Sequence, residues 1–245
     1  MYSNIFSALG TMKDQKAIDH YRDALEALQR AMSDGSPGNS LWQSYQVLSN
    51  DCMEALKGAI SNNNAFHRRS LARNLFALIE GTVYAWKQVI YFIAKDFHIA
   101  LEPGEESILT EEVSALNSDG VVKQERLRLP TKVNIKYTLK RAGEIFLATI
   151  PVDFGDSGWR TLQAAIVVRD RMMHPKKPED LEVSNTEIMV CIDALMWFGE
   201  STRRLLVAYS DFLRTRRSSI FTPTDQIHGK EQSLPTSLRD DLGAT

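Results

Sequence analysis

An arginine and a histidine separated by four residues stand where an apolar helical run meets a proline. The segment at 169–175, called here the Arg/His segment, reads Arg-Asp-Arg-Met-Met-His-Pro. Histidine exchanges a proton near neutral pH, whereas arginine keeps its charge and offers a planar set of donors to an anion. Asp170 adds a third polar group beside Arg169 and ahead of His174. This segment is therefore the candidate for chemistry in the chain.

Pro175 decides the geometry of this candidate pair. A proline disfavours helical dihedrals at the residue before it, so the helix is predicted to end at His174. In an uninterrupted helix five residues amount to about 500°, which would leave Arg169 and His174 roughly 140° apart. Release of the last turn allows the imidazole to swing back toward the guanidinium, so the helix end is predicted to bring the two together.

Helical periodicity predicts two long helices that flank the Arg/His segment. Apolar residues recur at steps of three, four or five over about 65–97. A second long helix begins at Ser184, where Glu187 completes a capping box, and continues to about 213. At ~1.5 Å per residue it would be on the order of 45 Å long, and such a rod often packs along a partner. A charged substitution such as Leu206→Glu is therefore expected to split an oligomer.

Weaker periodicity predicts further helices, with Asp156 or Ser157 as the cap of the helix that carries the Arg/His segment. The approximate ranges are 14–32, 41–60, 105–117, 131–148 and 157–173. A short hairpin formed by Val121-Val122 and 126–129 is compatible with the sequence, but no run of alternating strands would build a sheet. The predicted fold class is all-α, a helical bundle in which two long helices flank the Arg/His segment.

Three regions are predicted along the chain. Residues 1–60 form an N-terminal helical hairpin or extension, and 61–215 form the helical bundle. From 216 to 245 the helical period is lost, and Ser, Thr, Pro, Gly and charged residues accumulate. A segment of that composition cannot bury enough apolar area to offset its ordering entropy, so it is predicted to be disordered.

Composition narrows the class of protein. With 43% hydrophobic residues in 245, the chain can bury a core without metal or disulfide. Its two cysteines, Cys52 and Cys191, have no paired spacing and fit a reducing cytoplasm. No leader pattern and no apolar run of about eighteen residues occurs, so neither secretion nor membrane contact is expected. The net charge of −2 argues against coating of nucleic acid, so any contact with RNA would be local.

Two other chemistries lack their sequence signatures. No glycine-rich phosphate loop is present, because Gly155 and Gly158 flank Asp156-Ser157 without the required pattern. The histidines are scattered along the chain, and none belongs to a two-histidine helix motif that would hold zinc. Neither a cofactor nor a metal is predicted.

The pattern Arg169-Asp170-x-x-x-His174, between two long helices and before a proline-rich exit, resembles the Arg-polar-x-x-x-His motif of the HEPN superfamily. These are all-α proteins that are widespread in bacterial conflict systems, and the likeness extends loosely over about 65–215. The resemblance implies a metal-independent endoribonuclease of a defence or toxin–antitoxin type. It also implies a cytoplasmic homodimer whose two motifs face each other across one cleft, with an antitoxin or regulatory protein as a further partner.

The same resemblance implies a role for each residue. His174 would handle the proton of the ribose 2′-hydroxyl or of the leaving 5′-oxygen. Arg169 would hold the phosphate and stabilise its growing charge. Asp170 would orient His174 or cap the helix end. The family often has asparagine at this polar position, and the aspartate here adds negative charge beside the phosphate site.

Neighbouring charges extend the candidate site. Arg171, Lys176 and Lys177 are expected to bind flanking phosphates, although charged helix surfaces are more often simply solvated. Glu80 lies among apolar residues of the first long helix, so it could either reach an arginine inside the bundle or lie at the surface.

A different class of function stays open at this point. Arg169 and His174 can also form a helix-end cation pair that binds free carbonyls and stabilises the fold or a dimer. The chain would then be a non-catalytic helical dimerisation or partner-binding module. The acidic pI near 6.2 and the aspartate at position 170 favour this alternative.

Overall fold

A computed structural model of the protein describes residues 38–146 and 152–220. The described residues are mostly helical, which confirms the all-α class. The elements in chain order are α1 (Gly38–Ser61), α2 (Ala65–Asp96), α3 (Glu105–Thr110), β1 (Glu112–Leu116), β2 (Val122–Arg126), α4 (Thr131–Ile145), α5 (Ser157–Met173), a 3-10 turn (Pro178–Leu181) and α6 (Asn185–Ile220). Among these helices, none combines the length and apolar character that a membrane-crossing segment requires.

Within the described residues, 38–146 and 152–212 belong to one compact unit, and 213–220 belong to a second. All the residues of the candidate site belong to the first unit. The predicted region boundaries after 60 and after 215 stay predictions. The predicted helix at 14–32 lies outside the described residues, as does the predicted disordered segment beyond Ile220.

The long helix α2 forms the centre of the first unit. Its apolar residues at helical spacing, among them Leu71, Ile79 and Ile90, are buried. It packs against α1, α3, α4 and α5. Asn64 caps its first turn by accepting a hydrogen bond from the His67 N–H at 3.0 Å. The predicted first long helix is therefore confirmed.

The second long helix, α6, begins with the predicted capping box. The Ser184 hydroxyl accepts a hydrogen bond from the Glu187 N–H at 3.2 Å, and Glu187 Oε2 accepts one from the Ser184 N–H at 2.9 Å. The Tyr209 ring of α6 packs edge-on against Trp86 of α2. The expectation that Leu206 faces a partner is wrong. Leu206 is buried within its own unit, where it is 4% exposed. A charge at Leu206 would unfold the bundle.

The predicted helix at 105–117 is wrong in its second half. The helix α3 ends at Thr110, and β1 pairs with β2 in an antiparallel hairpin. Glu111 ends the helix because its φ of 57° lies in the left-handed region. Gly120, with a φ of 74°, then allows the turn between the strands. The cross-strand pairing outweighs the weak helical pattern of 112–116.

Candidate active site

The helix α5 begins where the sequence predicts and is fixed at that end. Asp156 is its cap, since Oδ1 accepts a hydrogen bond from the Trp159 N–H at 2.7 Å. The other oxygen of Asp156 accepts a hydrogen bond from the Trp197 indole of α6 at 3.0 Å. Leu162 and Ala165 are buried on the inner face of α5. The start and the inner face of the helix that carries the Arg/His segment are therefore packed against the bundle.

His174 terminates α5, as predicted. Its N–H donates to the Asp170 carbonyl at 3.1 Å, which closes the last helical turn. Its own φ of −130° and ψ of 56° then leave the helical region. Pro175 cannot continue the helical hydrogen bonding, so the chain departs from the helix axis here. The side chain of His174 is exposed, and no hydrogen bond to its ring is formed from the described residues.

The end of α5 opens onto a cleft of about 1070 Å³. Its lining includes Arg169, Asp170, Arg171 and His174 from α5, followed by Lys176. The cleft also reaches Glu80 of α2, the segment that connects β2 to α4, and the first turn of α4. The structure thus brings these candidate residues to one space. Lys177 is exposed but does not line the cleft.

Arg169 is held between two carboxylates. Its Nη2 atom lies 2.7 Å from Glu80 Oε1, and its Nη1 atom lies 2.9 Å from Asp170 Oδ1. Glu80 therefore reaches an arginine while its side chain stays 40% exposed, so it combines the two positions that the sequence left open for it. The Arg169 side chain is only 19% exposed. These contacts fix its orientation, and they leave some of its five N–H donors available to another anion.

Asp170 contacts its two neighbours through different groups. Its carboxylate binds Arg169, whereas its backbone carbonyl accepts the N–H of His174. The side chain therefore orients the arginine, and the helix end is closed by the backbone. The Asp170 carboxylate therefore places negative charge beside Arg169, the cation that would bind a phosphate. The carbonyl groups at the end of α5 add negative partial charge nearby.

Arg171 joins the end of α5 to the start of α6. Its Nη2 atom donates to the Glu182 carbonyl at 2.7 Å and lies 3.0 Å from Glu187 Oε1. Burial alone would raise the pKa of Glu187, but hydrogen bonds from Ser184 and the nearby Arg171 hold that pKa below its ordinary value. Arg171 therefore binds the Glu182 carbonyl and the Glu187 carboxylate at this junction. A phosphate would have to compete with these two groups for the N–H donors of Arg171.

Lys176 follows the helix end in an ordered turn. The N–H groups of Lys176 and Lys177 donate to Asp180 Oδ2 at 2.8 and 3.2 Å. Chiefly because of the Lys176 hydrogen bond, the pKa of Asp180 is lowered. The backbone of the turn is therefore occupied, whereas the Lys176 ammonium is available to the cleft.

Three further cations line the cleft on the segment from the end of β2 to the start of α4. They are Arg126, Arg128 and Lys132, and none was assigned to the site from the sequence. With them, the lining contains six Arg or Lys and four Asp or Glu residues, so it is positive although the whole chain is negative. The signal that could have found them is their spacing, three cations within seven residues beside a proline.

No family model, curated protein or solved structure matches this chain. Within 38–146 and 152–220, no group of three or more His, Cys, Asp or Glu residues is placed to hold a metal ion. The fold and the site therefore define the general class of the protein and not a family. It is an all-α protein with an open, cationic cleft at a helix end.

Proposed function

We propose that the chain is a metal-independent endoribonuclease that cleaves RNA in this cleft as a homodimer. The observation that carries the proposal is the shared position of Arg169, Asp170 and His174 in one positively charged cleft. RNA is a polyanion that carries its own nucleophile, the 2′-hydroxyl. Its cleavage therefore needs a group that transfers protons and a cation that stabilises the phosphate.

His174 is suited to the proton transfer. Because its exposed ring has no hydrogen-bond partner in the described part of the chain, it is available to a substrate hydroxyl. Acting as a base, it takes the proton from the 2′-hydroxyl while the 2′-oxygen attacks phosphorus. The bond from phosphorus to the 5′-oxygen then breaks, and the leaving oxygen takes a proton from the protonated His174 imidazole, which returns to its neutral form. The products are a 2′,3′-cyclic phosphate and a 5′-hydroxyl.

Arg169 is suited to bind the reacting phosphate. Glu80 and Asp170 hold the guanidinium in place before the substrate arrives, which limits the reorganisation needed during the reaction. The donors that these carboxylates do not use can contact the phosphate oxygens as their charge grows. Lys176, Arg128 and Lys132 would bind flanking phosphates along the cleft.

An exposed apolar residue supports the homodimer. Val167 lies seven residues before His174, and seven residues amount to about 700°, which is roughly 20° short of two full turns. Val167 therefore shares a face of α5 with the helix end, and its side chain is 68% exposed. A second copy packed on this face would cover Val167 and bring the His174 side chains of the two copies close together.

The dimer is tested by a charge on that face. Val167→Asp is expected to yield a monomer in light scattering and to lose cleavage activity with it. Val133→Asp is the matched control, because Val133 is 55% exposed on α4 and does not line the cleft. A Val167→Asp protein that stays dimeric would remove this face from the proposal.

The reaction itself is tested on its products. Labelled RNA incubated with the purified chain in EDTA is expected to acquire cyclic phosphate ends. A matched RNA with a 2′-deoxy group at the cleaved position should resist, because it lacks the nucleophile. Cleavage at the 2′-deoxy position, or no cleavage of any RNA by the dimer, would contradict the proposal.

The location and the biological setting belong to the same proposal. A bacterial defence or toxin–antitoxin system, with an antitoxin as a partner, is supported only by the resemblance of the Arg/His segment. A cytoplasmic location is supported by Cys52 and Cys191, which are buried and unpaired. Burial raises the pKa of each thiol to about 12, so neither is poised for disulfide exchange.

A non-catalytic partner-binding module is the second candidate, and the charge balance at Arg169 favours it. Glu80 and Asp170 together carry more negative charge than the arginine offsets. Such a cluster can serve simply to hold α2 against α5. This candidate predicts that the wild-type chain cleaves no RNA and that His174→Ala leaves partner binding intact.

A further inference from the structure

Lys87 of α2 is a charged residue without solvent contact. Its side chain is 0% exposed, and its Nζ atom lies 3.0 Å from Glu111 Oε1. Burial lowers the pKa of Lys87, and the hydrogen bond to Glu111 acts in the opposite direction. Moving two charges out of water is costly, and their attraction in the interior often fails to offset that cost. Core stability therefore does not explain the pair.

Glu111 is held in an unfavourable backbone conformation at the edge of the cleft. Its φ of 57° and ψ of 29° are left-handed, a region that a residue with a Cβ atom rarely adopts. Its side chain is 15% exposed and lines the cleft. Backbone strain of this kind is concentrated at sites where a side chain must be held in one position. Lys87 and the backbone together fix the carboxylate of Glu111.

The two oxygens of this carboxylate have different surroundings. Oε1 accepts hydrogen bonds from Lys87 at 3.0 Å and from the Asn134 amide at 3.3 Å. Oε2 lies 3.5 Å from the exposed Arg126, which is longer than a normal hydrogen bond. The Asn134 Oδ1 atom is buried and has no hydrogen-bond partner in the described part of the chain. Because the buried Asn134 atom cannot contact a ligand, Glu111 Oε2 is the acceptor of this pair that is available to the cleft.

We infer that Glu111 forms a base-recognition site that binds guanine through its Oε2 atom, while Asn134 helps to hold the carboxylate through Oε1. The inference rests on the proposed RNA cleavage. A fixed carboxylate would repel a phosphate, but it accepts hydrogen bonds from base N–H groups. Guanine presents two adjacent donors, the ring N1–H and the 2-amino group, and one carboxylate oxygen can accept from both. Uracil presents one donor between two acceptors, and those acceptors would face the Glu111 carboxylate unfavourably.

The experiment uses short RNAs that differ only in one base, placed in turn at each position around the cleaved bond. At one of these positions, the wild-type chain is expected to cleave the guanine RNA at least about tenfold faster than the uracil RNA. Inosine lacks the 2-amino group, so its RNA should be cleaved at an intermediate rate. Glu111→Gln replaces one acceptor with a donor and is expected to bring the guanine-to-uracil ratio close to one.

Two further variants complete the design. Glu112→Gln is the matched control, because Glu112 is the exposed neighbour of Glu111 and does not line the cleft. Its guanine-to-uracil ratio should equal that of the wild type. Asn134→Ala removes the amide that helps to hold the Glu111 carboxylate and leaves the Lys87 pair intact, so it replaces Glu111→Gln if circular dichroism shows that variant unfolded. A wild-type ratio in the folded variants overturns the inference.

A binding measurement separates this inference from the proposed function. Guanosine and uridine 5′-monophosphate are titrated into the wild-type chain and followed by NMR. Guanosine binding that requires Glu111, in a chain that cuts no RNA, would support the base site and contradict the nuclease proposal. RNA cleavage without any base preference would support the nuclease proposal and contradict the base site.

Discussion

The two charged centres of the cleft are built in opposite ways. At the end of α5, the side chains of His174 and Asp170 are exposed, and Arg169 shares its donors between partners. In the second centre, Lys87 of α2 is fully buried and holds the carboxylate of Glu111. Exposed groups can exchange protons and partners with a substrate, whereas a buried pair keeps one arrangement. The α5 centre is therefore accessible to a ligand, whereas the Lys87–Glu111 centre holds one fixed arrangement.

The largest expected effect comes from breaking the buried pair. Lys87→Met removes the closest charged partner of the largely buried Glu111 carboxylate and should lower the free energy of unfolding by about 3–5 kcal/mol, measured by urea denaturation. The double variant Lys87→Met/Glu111→Leu should regain most of that loss. Lys132→Met, an exposed lysine of the same cleft, should cost about 0.5 kcal/mol or less. If Lys87→Met costs no more than this control, the contrast between the two centres disappears.

The next effect concerns Arg169 of the α5 centre. Arg169→Lys keeps the charge but loses the planar donor set, so single-turnover cleavage should fall about 10²–10³-fold. Arg160→Lys is the matched control, because Arg160 is exposed on the same helix, does not line the cleft and donates to the Gly155 carbonyl. Equal activity of the two variants would mean that Arg169 does not contact the reacting phosphate.

A smaller effect is expected from the carboxylate that neutralises Arg169. Glu80→Gln should tighten RNA binding by no more than about fivefold, because partly exposed ion pairs are worth up to about 1 kcal/mol. Fluorescence anisotropy at fixed salt measures this change, with Glu54→Gln on the exposed face of α1 as the control. Weaker binding by Glu80→Gln would show that orienting Arg169 matters more than freeing its charge.

The smallest effect is a pH dependence at the junction of α5 and α6. The pKa of Glu187 is held below its ordinary value, so its contribution to stability is present above an ordinary carboxyl pKa of about 4.3. That contribution is lost as the pH falls through the lower pKa of the folded state. Glu187→Gln should therefore be less stable at pH 7 by about 1 kcal/mol or less, and urea unfolding should show the difference shrinking in acid. A constant difference would contradict this.

The helices around the site could be predicted because their signals are local. The capping box at Ser184 and the proline after His174 lie within a few residues of the helix ends that they determine. The strand β1 could not be predicted, since its conformation depends on pairing with β2 and on the left-handed Glu111.

The contacts of the site were less predictable, since they join residues far apart in sequence. Helical spacing from Val83 to Ile90 does place Lys87 on the buried face of α2, but spacing cannot name its partner twenty-four residues later. Glu80 was left with two possible positions, because the sequence does not show that α5 brings Arg169 beside it. Distances of this kind are set by tertiary packing.

The most direct measurement is the rate of RNA cleavage in EDTA by His174→Ala. The control is His98→Ala, since His98 is exposed and does not line the cleft. We expect the wild type and His98→Ala to cut labelled RNA at similar rates, and we expect His174→Ala to be inactive while it remains folded and dimeric. Undiminished cleavage by a folded His174→Ala protein would contradict the assignment of the reaction to the end of α5.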